Sequence, residues 1–158
     1  MEKLAIIGCG TMGHTIALSA VISGIQVKMY GVNDEDIEGG KAGILKNLKT
    51  LSNHGFIDRD KILLLSSKII TTSSINEVIK DATYVIEAIP ENLNLKMNLF
   101  KDLDNLCDED VILASNTSGL SPNSIASLTK YSHRVIVTHF WNPAHLVTLA
   151  PHKFGVIF

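Results

Sequence analysis

Short apolar runs alternate along the chain with segments whose apolar residues recur at helical spacing. The short runs predict six strands: 4–7, 25–30, 68–72, 83–89, 110–116 and 133–139. Strands that are apolar on both faces are typical of a parallel sheet covered by helices on both sides. We therefore predict an α/β fold of the doubly wound, mostly parallel type, formed as a single domain over residues 1–158.

Helices are predicted between these strands, at 11–24, 34–51, 74–79, 92–106 and 121–128. A further helical piece is predicted within 52–67, after a turn at Gly55. Asn33 is the predicted N-cap of the second helix, and the acidic residues after it suit the positive end of the helix dipole. Gly39 and Gly40 are expected to weaken the early part of that helix. In the helix at 92–106, the spacing predicts a buried face that contains Met97, Phe100, Leu103 and Leu106.

Composition and charge exclude several classes of partner. The chain is 46% hydrophobic and has a net charge of −2, so nothing points to nucleic acid or to an anionic membrane surface. No apolar run approaches the roughly 18 residues that span a bilayer. The first residues also lack the pattern of a signal peptide, which makes the cytoplasm the expected location.

Metal and disulfide chemistry is not expected either. Cys9 and Cys107 are two isolated cysteines, which form neither a disulfide framework nor a metal motif. The histidines outside the motif described below have no metal-ligand spacing: His14, His54, His133, His145 and His152.

A glycine-rich turn, Gly8-x-Gly10-x-x-Gly13, follows the first strand and begins the first helix. In that context Gly8 permits a tight turn, Gly10 lets the backbone approach a pyrophosphate, and Gly13 lets the helix lie close to the sheet. The pattern predicts a dinucleotide site at the helix N-terminus. The alternative is a strand–helix turn that uses glycine for backbone reasons alone.

The position that normally recognises the adenosine ribose carries no acid. An Asp or Glu is expected at the end of the second strand of an NAD-binding fold, and that position is Gly31. No arginine stands nearby for a 2′-phosphate, and the next basic residue is Lys41. NAD is the expected cofactor, with NADP not excluded because of Gly31. Asn33 could bind ribose hydroxyls or serve only as the helix cap.

Four stretches together carry a family resemblance: "IIGCGTMGHTIA", "VIEAIPENLNLKMNLFKDLD", "ILASNTSGLS" and "HFWNPAH". Each is similar to a motif of the L-3-hydroxyacyl-CoA dehydrogenases, which include the 3-hydroxybutyryl-CoA dehydrogenases. The motifs occur in the family's order and extend over nearly the whole chain. The resemblance implies a dinucleotide-binding domain of the Rossmann type and oxidation of a 3-hydroxyacyl-CoA to the 3-ketoacyl-CoA, with hydride passing to NAD.

The resemblance also implies roles for individual residues. His139 matches the base that takes the hydroxyl proton, Ser118 matches the serine that binds the substrate oxygen, and Asn142 matches an asparagine beside them. Glu91 and Lys96 match positions on the cofactor side. The remaining matches form the phosphate loop: Gly8, Gly10, Thr11, Met12 and Gly13.

The chemistry is consistent with these roles, and simpler interpretations exist for each. A neutral imidazole can accept a proton near neutral pH, and hydroxyl and amide groups can hold an oxygen whose charge changes. Alternatively, His139 could be structural, Ser118 could stabilise a turn, Glu91-Asn92 could cap the helix that follows, and Lys96 could be a solvated charge.

The sequence departs from the family pattern in two further places. The glutamate that the family pairs with its histidine would fall at Pro151, and no Asp or Glu follows Asp110. The family also continues into a helical domain for substrate binding and dimerisation, for which no room is left before Phe158. We therefore expect this chain alone to bind dinucleotide and to turn over slowly or not at all, in an undetermined oligomeric state. A stand-alone binding module and a dehydrogenase of another small hydroxy acid are the alternatives.

Overall fold

A six-stranded parallel sheet forms the centre of the molecule. The computed structural model describes residues 2–146. The strands are β1 (Lys3–Ile7), β2 (Gln26–Tyr30), β3 (Ile69–Thr72), β4 (Tyr84–Glu87), β5 (Ile112–Ser115) and β6 (Val135–Val137). Their order across the sheet is β3-β2-β1-β4-β5-β6, and every pair is parallel. The predicted doubly wound parallel sheet is confirmed. The strand order reverses direction between β1 and β4, which is where ligands bind in such sheets.

Helices cover both faces of this sheet. They are α1 (Thr11–Ile22), α2 (Asp34–Asn53), α3 (Lys61–Ser67), α4 (Ile75–Ile79), α5 (Leu93–Leu106) and α6 (Pro122–Ile125). Short 3-10 turns follow at Ala126–Leu128 and Ser132–Arg134. Alternation along β1 explains the two layers. Leu4 and Ile6 enter one apolar cluster, which includes residues of α1 and α2. Ala5 and Ile7 enter the other, which includes residues of α4 and α5.

The second helix is continuous through its glycine pair. The Asn33 side chain accepts a hydrogen bond from the Asp36 amide at 2.8 Å, as predicted for an N-cap. Gly40 is buried against the glycine-rich turn, and a β-carbon there would lie 2.9 Å from the Cβ of Cys9. The absence of a β-carbon at Gly40 therefore allows α2 to pack closely on the turn, despite the low helix propensity of glycine.

The buried face of α5 differs from the prediction. The helix buries Lys96, Phe100, Leu103 and Asp104, whereas Leu106 is 48% exposed. The prediction for Leu106 was therefore wrong. Two charged residues occupy the buried face because each has an ionic partner on a neighbouring element, as described below.

The described part of the chain contains no helix that is long and apolar enough to cross a membrane.

Candidate functional site

The carboxyl ends of four strands meet at one edge of the sheet and form a cleft of about 440 Å³. Five of the residues singled out in the sequence line this cleft: Met12, Glu91, Ser118, His139 and Asn142. Met12 lies in the first turn of α1, after β1, and the other four lie in the loops that follow β4, β5 and β6. Because the strands are parallel, residues separated by up to 130 positions converge at this edge.

The glycine-rich turn lies beside the cleft, and each glycine has a distinct spatial role. Gly8 has a φ of +120°, and a β-carbon there would lie 2.6 Å from the carbonyl oxygen of Ala88. A β-carbon at Gly13 would lie 1.9 Å from the carbonyl oxygen of Gly8, so α1 can approach the turn only with glycine there. At Gly10 nothing lies within 4 Å of such an atom. Gly10 therefore borders open space rather than packed protein.

The N-terminus of α1 is suited to an anion. The helix begins at Thr11, no side chain of the described residues caps it, and its first turn carries no acid. The first backbone N–H groups of a helix have no intrahelical partner and lie at the positive end of its dipole. A pyrophosphate could therefore be held by this turn without competition from a neighbouring carboxylate.

Ser118 and His139 form a direct pair in the cleft. The hydroxyl oxygen of Ser118 lies 3.1 Å from Nε2 of His139, and the tautomer of the ring decides which group donates the proton. The backbone next to His139 is tethered as well, because the amide of Phe140 donates to Oδ1 of Asn116 at 2.8 Å. The structure thus brings together the two residues that were predicted to bind a substrate hydroxyl group and to accept its proton.

Glu91 joins the loop after β4 to the loop after β5. Its Oε1 accepts hydrogen bonds from the Thr117 hydroxyl at 2.5 Å and from the Ser118 amide at 3.1 Å. Partial burial acts to raise the pKa of Glu91, but hydrogen bonds from Thr117 and Lys96 and the charge of Lys96 hold that pKa below its ordinary value. The cap of α5 is Asn92, which accepts from the Leu95 amide. The predicted helix cap is therefore confirmed for Asn92, and Glu91 has a different role.

Lys96 lies behind the cleft rather than in its wall. Its side chain is buried, and its Nζ lies 2.7 Å and 2.8 Å from the two carboxylate oxygens of Glu87 and 3.1 Å from Oε2 of Glu91. The interpretation as a solvated helix charge is excluded by this burial. Lys96 holds the cleft residue Glu91 from the protein side.

The four consecutive residues from Ser115 to Ser118, at and after the end of β5, form hydrogen bonds alternately to the β4 side and to the β6 side. Ser115 donates to Glu87 and Thr117 donates to Glu91, both on the β4 side. Asn116 accepts from Phe140 and Ser118 meets His139, both on the β6 side. Sequence reasoning singled out only Ser118 from this set. The two-residue alternation of an extended segment was the signal that could have revealed the others.

Gly31 directly follows the last residue of β2, and its N–H donates a hydrogen bond to the carbonyl oxygen of Thr72. A β-carbon at Gly31 would lie 2.6 Å from Cγ1 of Ile37 and 3.1 Å from Sγ of Cys9. The side chains of Ile37 and Cys9 thus occupy the space that an acid at this position would need. The position of the expected glutamate, Pro151, lies outside the described residues.

A metal site is not formed by residues 2–146, since no three His, Cys, Asp or Glu side chains in that range are arranged to hold an ion.

Comparisons with known proteins identify the family. A family model described as "3-hydroxyacyl-CoA dehydrogenase, NAD binding domain" matches residues 3–150. The 3-hydroxybutyryl-CoA dehydrogenase of Clostridioides difficile is 41% identical over 148 residues, which are 93% of this chain and 52% of that protein. The glyoxysomal fatty acid beta-oxidation multifunctional protein MFP-a of Brassica napus is 37% identical over 94% of this chain and 20% of its own length.

The fold comparison agrees. The crystal structure of 3-hydroxybutyryl-CoA dehydrogenase from Escherichia coli K12 superposes with a TM-score of 0.85 at 33% identity, covering 92% of this chain and 30% of that one. The chain spans about half the length of the 3-hydroxybutyryl-CoA dehydrogenases among its curated relatives and a fifth of the multifunctional proteins. The family match extends from the first strand through the His139 loop, and the chain belongs to the NAD-binding domain of the 3-hydroxyacyl-CoA dehydrogenase family.

Proposed function

We propose that this chain binds NAD and that its cleft serves the oxidation of a 3-hydroxyacyl-CoA to a 3-ketoacyl-CoA. The observation that carries the proposal is the Ser118–His139 pair, 3.1 Å apart, at the same sheet edge as the glycine-rich turn. The family match supports both the cofactor and the reaction. When bound, NAD supplies the acceptor for the hydride that leaves C3 of the substrate.

The residues of the chain supply the proton chemistry. As hydride leaves C3, the hydroxyl proton must leave as well, and the neutral imidazole of His139 accepts it at Nε2. The hydroxyl of Ser118 holds the substrate oxygen, whose charge changes as the carbonyl forms. Asn142 lines the same cleft and can offer its amide to that oxygen. The turn Gly8, Gly10, Thr11, Met12 and Gly13 at the start of α1 would hold the pyrophosphate of the cofactor, with Glu91 on the cofactor side.

We propose further that the chain alone turns over slowly. Within residues 2–146, Nε2 of His139 bonds to Ser118 and no carboxylate orients the other ring nitrogen. A histidine without such a partner loses control of its tautomer and stabilisation of its charged form. The same observation favours the alternative of a dinucleotide-binding module without turnover. The cytoplasmic location stays a prediction, since the named relatives include peroxisomal and glyoxysomal proteins.

Calorimetric titration with NADH and NADPH tests cofactor binding first. We expect NADH to bind, and the absence of binding by either at ligand concentrations on the order of 1 mM would refute the proposal. Turnover is then followed as NADH formation from 3-hydroxybutyryl-CoA. His139→Gln is expected to abolish any turnover while leaving NADH affinity nearly unchanged. A large loss of NADH affinity in this variant would instead assign His139 to the cofactor.

A further inference from the structure

Thr117 directly precedes Ser118 in the loop after β5, and every hydrogen-bonding position of its hydroxyl is occupied. The residue is 2% exposed. Its Oγ1 donates to Oε1 of Glu91 at 2.5 Å and accepts hydrogen bonds from the Gly119 amide at 3.3 Å and the Leu120 amide at 3.0 Å. A hydroxyl has one proton to donate and two acceptor sites. The side chain of Thr117 therefore has one orientation that satisfies all its partners.

Ser118 depends on this arrangement because its own side chain is exposed to solvent. The backbone of Ser118 is held by the hydrogen bond from its amide to Oε1 of Glu91, the same oxygen that accepts from Thr117. Two consecutive residues thus converge on one carboxylate oxygen. That contact fixes the backbone from which the Ser118 hydroxyl reaches Nε2 of His139.

Glu91 can serve as this anchor because it is itself held from inside the protein. Its side chain is 45% exposed and would be free to move if it were unpaired. Lys96 prevents this by contacting Oε2 at 3.1 Å, and Lys96 is in turn fixed by Glu87. A continuous series of polar contacts therefore runs from the end of β4 to Ser118.

We propose that Thr117 is a positioning residue, which acts through Glu91 to hold the Ser118 hydroxyl against Nε2 of His139. The importance of this positioning for catalysis rests on the proposed function, in which Ser118 and His139 act on the substrate hydroxyl. The geometric statement does not require a bound dinucleotide. Failure of NADH to bind would therefore refute the proposed function without touching the contact between Ser118 and His139.

Nuclear magnetic resonance of the chain labelled with ¹⁵N-histidine tests the proposal. The Nε2 frequency of His139, assigned with His139→Gln, is measured at an alkaline pH where imidazole rings are neutral. Ser118→Ala supplies the frequency without the hydrogen bond. We expect Thr117→Val, which keeps the shape and removes the hydroxyl, to shift Nε2 most of the way to the Ser118→Ala value. Thr117→Ser retains the hydroxyl and should keep the wild-type frequency.

Two further variants make the result decisive. Thr129→Val is the matched control, because that hydroxyl donates to the Ala126 carbonyl and neither residue lines the cleft, so Nε2 should stay unchanged. Glu91→Ala removes the contact between Thr117 and Glu91 by changing its exposed partner, and it should shift the Nε2 frequency as Thr117→Val does. This variant therefore tests the proposal even if Thr117→Val fails to fold. A wild-type frequency in Thr117→Val or in Glu91→Ala, or an equal shift in Thr117→Ser, would overturn the proposal.

Discussion

Lys96 and Glu87 form an ion pair 2.7 Å long, with side chains that are 1% and 0% exposed. Glu87 is the last residue of β4, and Lys96 lies in the first turn of α5. The same carboxylate also accepts hydrogen bonds from the Ile89 amide at 2.8 Å and the Ser115 hydroxyl at 2.5 Å. Because its acceptor sites are satisfied from three directions, the pair joins three elements at the base of the cleft.

Removal of the lysine alone should be strongly destabilising. Lys96→Met would leave the Glu87 carboxylate buried without a counter-ion, which costs about 3–5 kcal/mol. The free energy of unfolding, measured by urea titration and circular dichroism, should fall by that amount. Lys101→Met is the matched control, since Lys101 is exposed on the same helix. A surface change of this kind is expected to stay within about 0.5 kcal/mol.

The double variant Lys96→Met/Glu87→Gln separates charge from packing. It removes the uncompensated charge and should recover part of the loss caused by Lys96→Met. If the double variant is no more stable than the single one, lost packing rather than the unpaired carboxylate explains the effect.

The hydrogen bonds of Asp104 predict how the free energy of unfolding depends on pH in the acid range. Its Oδ1 lies 2.9 Å from Nη2 of Arg134, and its Oδ2 accepts from the Lys130 amide at 2.6 Å. Burial acts to raise the pKa of Asp104, but these bonds from Lys130 and Arg134 hold it below the reference value of 3.8. The folded state thus binds this proton less readily than the unfolded state. The contribution of Asp104 is complete above the unfolded pKa and is lost as the pH falls through the lower folded value.

Asp104→Asn should therefore flatten the acid limb of the stability curve. Below about pH 4 the free energy of unfolding of the wild type should fall more steeply with decreasing pH than that of the variant. Asp102→Asn, at an exposed position on the same helix, is the control for the loss of one surface carboxylate. Equal slopes in wild type and Asp104→Asn would show that Asp104 does not titrate differently in the folded chain.

The sheet and the location of the cleft were predictable from local patterns. Apolar runs predicted six strands, and Ser118 and His139 stand at the ends of two of them, which lie at one edge of a parallel sheet. The spacing of Gly8, Gly10 and Gly13 predicted the turn. These features could be predicted because they depend on residues close together in sequence or on the regular geometry of parallel strands.

The polar interior of the site was not predictable in the same way. A periodicity argument treats charged residues as exposed, yet Lys96 and Asp104 occupy the buried face of α5. Their burial depends on Glu87 and Arg134, which are 9 and 30 residues away along the chain. Such partners are brought together only by the sheet order, so the pattern of one helix cannot reveal them.

The glycines of the turn should separate folding from binding. In Gly13→Ala the new methyl would lie 1.9 Å from the Gly8 carbonyl oxygen, so we expect loss of stability together with loss of NADH binding. In Gly10→Ala the methyl meets nothing within 4 Å, so the fold should survive while the methyl occupies the space proposed for the pyrophosphate. Thermal unfolding and calorimetry measure the two effects. Unchanged NADH affinity in a folded Gly10→Ala protein would place the phosphates elsewhere.

Gly31 offers a test of cofactor choice in which stability and specificity are linked. Its β-carbon position is only 2.6 Å from Cγ1 of Ile37, so Gly31→Asp alone should destabilise the fold by about 1–3 kcal/mol. Ile37→Ala makes room at its own cost. Combining the two should therefore cost less than the sum of the single changes, because the clash is relieved.

The same double variant should change cofactor preference. A carboxylate at the end of β2 can accept hydrogen bonds from ribose hydroxyls and repels a 2′-phosphate. Calorimetry should therefore show a higher ratio of NADH to NADPH affinity in Gly31→Asp/Ile37→Ala than in the Ile37→Ala control. The ratio is informative because a general loss of stability weakens both cofactors alike. An unchanged ratio of affinities would mean that residue 31 does not face the ribose. Strictly additive costs of the two substitutions would mean that Ile37 does not limit the size of the side chain at position 31.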